Sequence, residues 1–94
     1  MLTELTIIYP HKSNRNMLID LIEKQKKYLL TSSNCKEFNI YEDTYSDKIF
    51  TISKWLSKED LKDAIDVKEH RDHLAKIVNL QKFPAEVYRL ENLD

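Results

Sequence analysis

The chain runs to 94 residues without a single glycine. A loop that cradles phosphate needs glycine so that backbone N–H groups can close on the ligand, and so does the turn that opens a dinucleotide-binding unit. Neither a P-loop nor a dinucleotide fingerprint can be written with these residues. Any turn that requires a positive φ falls to Asn or Asp, which tolerate that region less well. The length allows one domain, spanning 1–94, and at 11.2 kDa about 65% of the unfolded chain's surface can be buried. That supports one modest core, which a partner would enlarge.

Charge and cysteine narrow the classes further. Fifteen Lys and Arg stand against sixteen Asp and Glu, a net charge of −1. No overall field draws the chain to nucleic acid or to an anionic membrane, so neither is expected as a partner. Lys24, Lys26 and Lys27 cluster, but Glu23 interrupts them and no exposed aromatics interleave, which reads as a wet helix face. Hydrophobic residues at 41% and charged residues at 33% describe a folded chain rather than a disordered one. No apolar run approaches the roughly 20 residues that span a bilayer. Met1–Pro10 lacks the pattern of a signal peptide. Cys35 is the only cysteine and cannot form an internal disulfide, so a cytoplasmic location is expected.

Periodicity then orders the elements. Glu4–Pro10 is a β-rich run with apolar residues on both alternating faces, closed by Pro10. Ser13 is the expected N-cap of a helix over Asn14–Leu30, whose apolar positions Met17, Leu18, Leu21, Ile22, Tyr28 and Leu29 fall at helical spacing. Asn34 is expected in the left-handed conformation that ends many helices. Lys36–Glu42 and Lys48–Leu56 read as a hairpin around the turn Asp43–Asp47. Ser57 and Asp66 start two helices, near Lys58–Ile65 and Val67–Leu80, with Leu74, Ile77 and Val78 toward the core. Phe83-Pro84 breaks the pattern before a last strand, Glu86–Leu90.

The order β-α-β-β-α-β is the split βαβ or ferredoxin-like arrangement, an α+β fold with a four-stranded antiparallel sheet and helices on one face. Helices cover only one side, yet the strands are apolar on both: Phe38, Ile40, Phe50 and Ile52 in one set, Tyr41, Ile49 and Trp55 in the other. A sheet with one solvated face alternates more cleanly. A homodimer through the second sheet face is therefore expected, since twofold pairing is the commonest oligomeric solution.

These residues also carry a resemblance. Asn34-Cys35 followed by Phe38-x-Ile40-Tyr41-x-Asp43 resembles the GC-x-x-Y-x-L-Y-x-D segment of the antibiotic biosynthesis monooxygenase domain. Trp55-x-Ser57-x-Glu59-x-Leu61 resembles that family's W-x-S-x-E-x-L segment, and His70 falls near a histidine often found further on. The resemblance extends from the first strand to Tyr88. It implies a dimeric α+β barrel with a pocket between each sheet and its helices. Some members oxygenate quinol-like or polycyclic aromatic substrates without metal or flavin; others degrade haem, isomerise small phosphorylated metabolites, or have no known activity. Fold kinship does not choose among these. Two departures matter. The family's frequent histidine nine residues after the strand tryptophan is Ala64 here. The haem-degrading branch has a tryptophan at that point and an axial histidine ten residues beyond, where this chain has Leu74, with His73 one residue off. Haem degradation is thus the weaker reading.

Within that frame the chemistry-bearing residues are few. Trp55 is either core filling at a strand end or a pocket wall for a planar substrate. His70 and His73 lie three apart on a helix; they read as a solvated face with one half-buried imidazole, or as proton-transfer and hydrogen-bonding groups. The string Glu69-His70-Arg71-Asp72-His73 lacks zinc-protease spacing and would need a further ligand such as His11, so no metal is expected. Asn39, Tyr41, Thr51 and Ser53 are expected on the face shared by Trp55, pairing across a dimer interface or orienting a ligand; a bulge would flip them. Arg71 is a candidate positive charge, and Cys35 a small buried hydrophobe. The function expected is a cofactor-free monooxygenase acting on a small aromatic or quinol-like ligand, with catalytic His70, His73 and Trp55 and substrate-binding Asn39, Tyr41, Ser53 and Arg71. The alternative is a non-catalytic dimeric binding or stress-response module, with haem binding third.

Overall fold

The computed structural model describes every residue from Met1 to Asp94. Strand β1 spans Leu2–Pro10, helix α1 Arg15–Ser32, strands β2 and β3 Cys35–Glu42 and Ile49–Trp55, helices α2 and α3 Lys58–Ile65 and Lys68–Asn79, and strand β4 Gln81–Glu91. The strands form one antiparallel sheet in the order β2-β3-β1-β4. This is the expected ferredoxin-like α+β arrangement.

The loops show how a chain without glycine turns. No residue has a positive φ. Asn34 therefore does not take the expected left-handed conformation. Ser33 ends α1 instead: its backbone is extended, its hydroxyl donates to the Leu29 carbonyl at 2.6 Å, and its Oγ accepts from the Cys35 N–H at 3.3 Å. In the β2–β3 loop the Asp43 carboxylate accepts from the Tyr45 N–H at 2.9 Å and from the Ser46 hydroxyl at 2.8 Å. A side chain thus supplies the turn that glycine often makes, and those bonds hold the Asp43 carboxyl below the usual range.

The helix starts divide. Ser57 caps α2 as expected, its Oγ accepting from the Asp60 N–H at 3.2 Å. Ser13 caps nothing; it lies in a short 3-10 turn, Lys12–Asn14, and α1 starts behind Asn14 without a side-chain cap. Asp66 is not the cap of α3 either, because α2 extends far enough to make it that helix's last half-turn, and Val67 takes the position. The last strand begins earlier than Glu86 and runs through Phe83-Pro84. Proline is tolerated there because β4 is an edge strand and Pro84 falls at the register shift between Glu86 and Phe83, where it has no cross-strand partner.

The hairpin register decides which residues share a face. Glu42 pairs with Ile49 across a six-residue loop, so even positions of β2 sit opposite odd positions of β3. Phe38 and Ile40 therefore join Ile49, Thr51, Ser53 and Trp55 on the helix side, while Asn39 and Tyr41 join Phe50 and Ile52 on the other. The expected grouping of Asn39 and Tyr41 with Trp55 is corrected by that loop parity, and a bulge between Cys35 and Glu37 shifts only the start of β2. The core lies between sheet and helices, around Leu18, Ile22, Ile49 and Trp55. Ile77 belongs to it and Leu74 packs against it, but Val78 is exposed.

The opposite sheet face has no helix over it. Leu5, Ile7, Phe50 and Ile52 are half-buried there, and Tyr41, Tyr88 and Leu90 are exposed. The Tyr9 and Tyr88 hydroxyls both donate to the Glu86 carboxylate, Tyr88 at 2.8 Å. These bonds hold the Glu86 carboxyl low and push both phenols up.

Candidate functional site

A slot of about 230 Å³ lies between the sheet and helices α2 and α3. Its walls follow from the register. Trp55 ends β3 on the helix side and is 1% exposed, with Phe38 and Leu29 also on the wall. Its indole N–H donates to Ser53 Oγ at 2.9 Å, which satisfies the one polar atom that burial would otherwise penalise. From the helices come Leu61 and Ala64 of α2 and His70, Leu74 and Ile77 of α3. Ala85, Val87 and Arg89 of β4 form the flank, where Val87 remains half exposed. The lining is mostly apolar, with Thr6, Thr51, Gln25 and Gln81 as neutral polar groups. Gln81 Oε1 is buried without a hydrogen-bond partner.

His70 is the titratable group set deepest in this wall, 4% exposed. Its ring stacks on Tyr28 of α1, centroids 5.3 Å apart and planes 10° from parallel. Burial, and then the charge of neighbouring His73, push its pKa below the ordinary 6.5. The imidazole is thus neutral at pH 7 and able to accept a proton. It also borders a small cleft of about 130 Å³ between α1 and α3, lined by Lys24, Tyr28, Glu69 and His73.

The other expected residues are dispersed. His73 lies outside the slot, its Nε2–H donating to the Leu21 carbonyl at 2.6 Å, which spends that nitrogen on holding α3 against α1. Ser53 is buried but its hydroxyl serves Trp55. Asn39 and Tyr41 point from the opposite sheet face. Arg71 is exposed on α3 and does not reach the slot. Cys35 is buried, its thiol donating to the Glu37 carbonyl at 3.1 Å and pushed up in pKa by burial, the behaviour of a structural rather than a reactive thiol. No three His, Cys, Asp or Glu side chains converge on a point that would hold a metal ion. No helix is long and apolar enough to cross a membrane.

Sequence reasoning missed Glu4 and Arg89. They sit directly opposite on β1 and β4 and form an ion pair, Arg89 Nε to Glu4 Oε2 at 3.0 Å, at the slot's edge. The available signal was the alternation of Glu86–Leu90, which puts Val87 and Arg89 on one face and opposite charges across neighbouring strands. Beyond Arg89 the slot meets a larger outer cleft of about 670 Å³ beside α2, which shares Leu61, Ile65 and Arg89 with it and adds Lys58, Glu59, Lys62 and Glu91.

No protein-family model and no curated protein matches this sequence. Solved structures do match the fold. An antibiotic biosynthesis monooxygenase superposes with a TM-score of 0.91 over 100% of both chains at 12% identity. The Rv0793 protein of Mycobacterium tuberculosis gives 0.90 over 99% of this chain and 95% of its own at 17% identity. A variant of SnoaB, a cofactor-independent oxygenase from Streptomyces nogalater, gives 0.88 over 99% and 93% at 10% identity. At these identities the likeness establishes a shared fold.

Proposed function

We propose that this chain belongs with the antibiotic biosynthesis monooxygenases and acts as a cofactor-independent oxygenase on a small aromatic or quinol-like substrate held in the slot. The observation that carries this reading is the meeting of Trp55 and neutral, buried His70 in one apolar wall. An electron-rich phenol needs little more. His70 accepts the ring hydroxyl proton, and the ring anion passes one electron to dioxygen. The resulting radical and superoxide combine as a ring peroxide anion, the His70 imidazolium returns its proton to give the hydroperoxide, and loss of water with the hydrogen on the same carbon leaves a carbonyl. Trp55 holds the ring, and Thr51 is placed to hydrogen-bond its oxygens. The likeness to a cofactor-independent oxygenase supports the class of chemistry, not a substrate. On this reading two copies associate through the apolar sheet face opposite the helices.

Ala64 favours a second reading. It is buried in the slot wall, where the resembling family often carries a histidine. With one imidazole instead of two, the slot suits a module that binds an aromatic metabolite without consuming it. Oxygen uptake by metal-free protein with a panel of reduced quinols separates the two. Uptake above autoxidation that falls in Trp55→Phe and His70→Ala supports the oxygenase. Saturable binding without uptake supports the binding module.

A further inference from the structure

We propose, resting on the reading of the slot as the ligand site, that its ligand is a one- or two-ring aromatic carrying an anionic group, with the ring against Trp55 and the anion on the free edge of Arg89. Size sets the ring count. An apolar cavity of about 150 Å³ holds benzene, and drug-sized ligands occupy about 300–1,000 Å³. The slot's 230 Å³ falls between, which suits one or two rings better than a three- or four-ring system or haem.

Charge sets the substituent. Arg89 lines both the slot and the outer cleft, so its guanidinium stands at the boundary between them. Its one hydrogen bond is from Nε to Glu4, which leaves both terminal nitrogens free to form the planar fork that suits a carboxylate. Nearby Lys58 faces Glu91 at 3.9 Å, and Lys62 and Glu59 line the same cleft without an ion pair of their own, so the free guanidinium edge is the cation that adjoins the slot. Register sets the reach. Glu4 pairs with both Ser53 and Arg89, and Trp55 is two residues beyond Ser53 on the same face. Two strand spacings of about 4.8 Å across the sheet and two residues of about 3.4 Å along it put roughly 12 Å between the Trp55 and Arg89 backbone positions. A fused two-ring system with a ring carboxylate spans that gap, with the aromatic end inside and the anion at the cleft.

The test uses 2-naphthoate, its neutral analogue 2-naphthol and the three-ring anthracene-2-carboxylate, read by calorimetry and by the indole N–H resonance of the chain's only tryptophan. That resonance also shows that each variant is folded. 2-Naphthoate is expected to shift the Trp55 signal and to bind at least about tenfold more tightly than 2-naphthol, a difference of about 1.4 kcal/mol. The anthracene is expected not to bind. Arg89→Gln is expected to abolish the preference while keeping 2-naphthol binding, and Arg89→Lys to restore part of it. Equal or tighter binding of 2-naphthol, or a preference unchanged in Arg89→Gln, overturns the anionic assignment and leaves the slot intact. Tight anthracene binding overturns the size argument. Failure of every probe to move the Trp55 signal overturns the slot as ligand site, and this proposal with it.

Discussion

Trp55 and His70 each contribute to the fold and to the slot, and the two roles can be measured apart. Trp55→Ala removes a fully buried aromatic and is expected to cost about 3–5 kcal/mol in denaturant unfolding, as large-to-small core changes do. Ser53→Ala leaves the indole N–H of Trp55 buried and unpaired, at about 1–3 kcal/mol. His70 gives a pH signature. Its pKa is lower in the folded chain than the ordinary 6.5, so between those two values the unfolded chain binds more protons. Stability is therefore full above pH 6.5 and falls as pH drops through that window, by at most about 1.4 kcal/mol per pH unit for one proton. His70→Asn is expected to flatten that slope in unfolding curves collected across the window. An unchanged slope would assign the acid sensitivity to another group.

The order of elements was legible in the sequence, whereas caps were legible only in part and the strand faces were not. Ser57 followed by Asp60 names a cap from four residues, and the structure has that cap. Ser57→Ala is expected to lower stability by about 1 kcal/mol, whereas Ser13→Ala, where the structure has no cap bond, is expected to change it by less than about 0.5 kcal/mol. The faces of β2 were unreadable because they depend on a register fixed by the length of the 43–48 loop, not on any residue within the strand. Trp55 and His70 could be named from the chain because each stands out by type. Glu4 and Arg89 could not, since 85 residues separate partners that only the β1–β4 pairing brings together. Arg71 stood in their place because proximity to His70 in sequence is not proximity on a helix face.

At the scale of the whole molecule, the apolar surface of the sheet's second face lies outside the single-chain core. Leu5, Ile7, Phe50 and Ile52 form a central strip on the uncovered face, flanked by Tyr41, Tyr88 and Leu90. Light scattering at micromolar concentration is expected to give twice the 11.2 kDa chain mass. Ile52→Lys is expected to shift it to a single chain with the Trp55 resonance retained, because the substitution sits on the face away from the slot. A monomeric wild type would remove the dimer from the proposed function without touching the slot.

The backbone's confinement to negative φ has a consequence for how far such a chain can drift. No turn reserves a place for a residue lacking a side chain, so no loop position demands glycine for its backbone angles, and substitution there is limited by side-chain contacts and hydrogen bonding instead. The shape is then carried by interior fit and strand pairing, which many unrelated spellings can satisfy. One architecture is accordingly shared nearly end to end by chains matching at only 10% to 17% of positions.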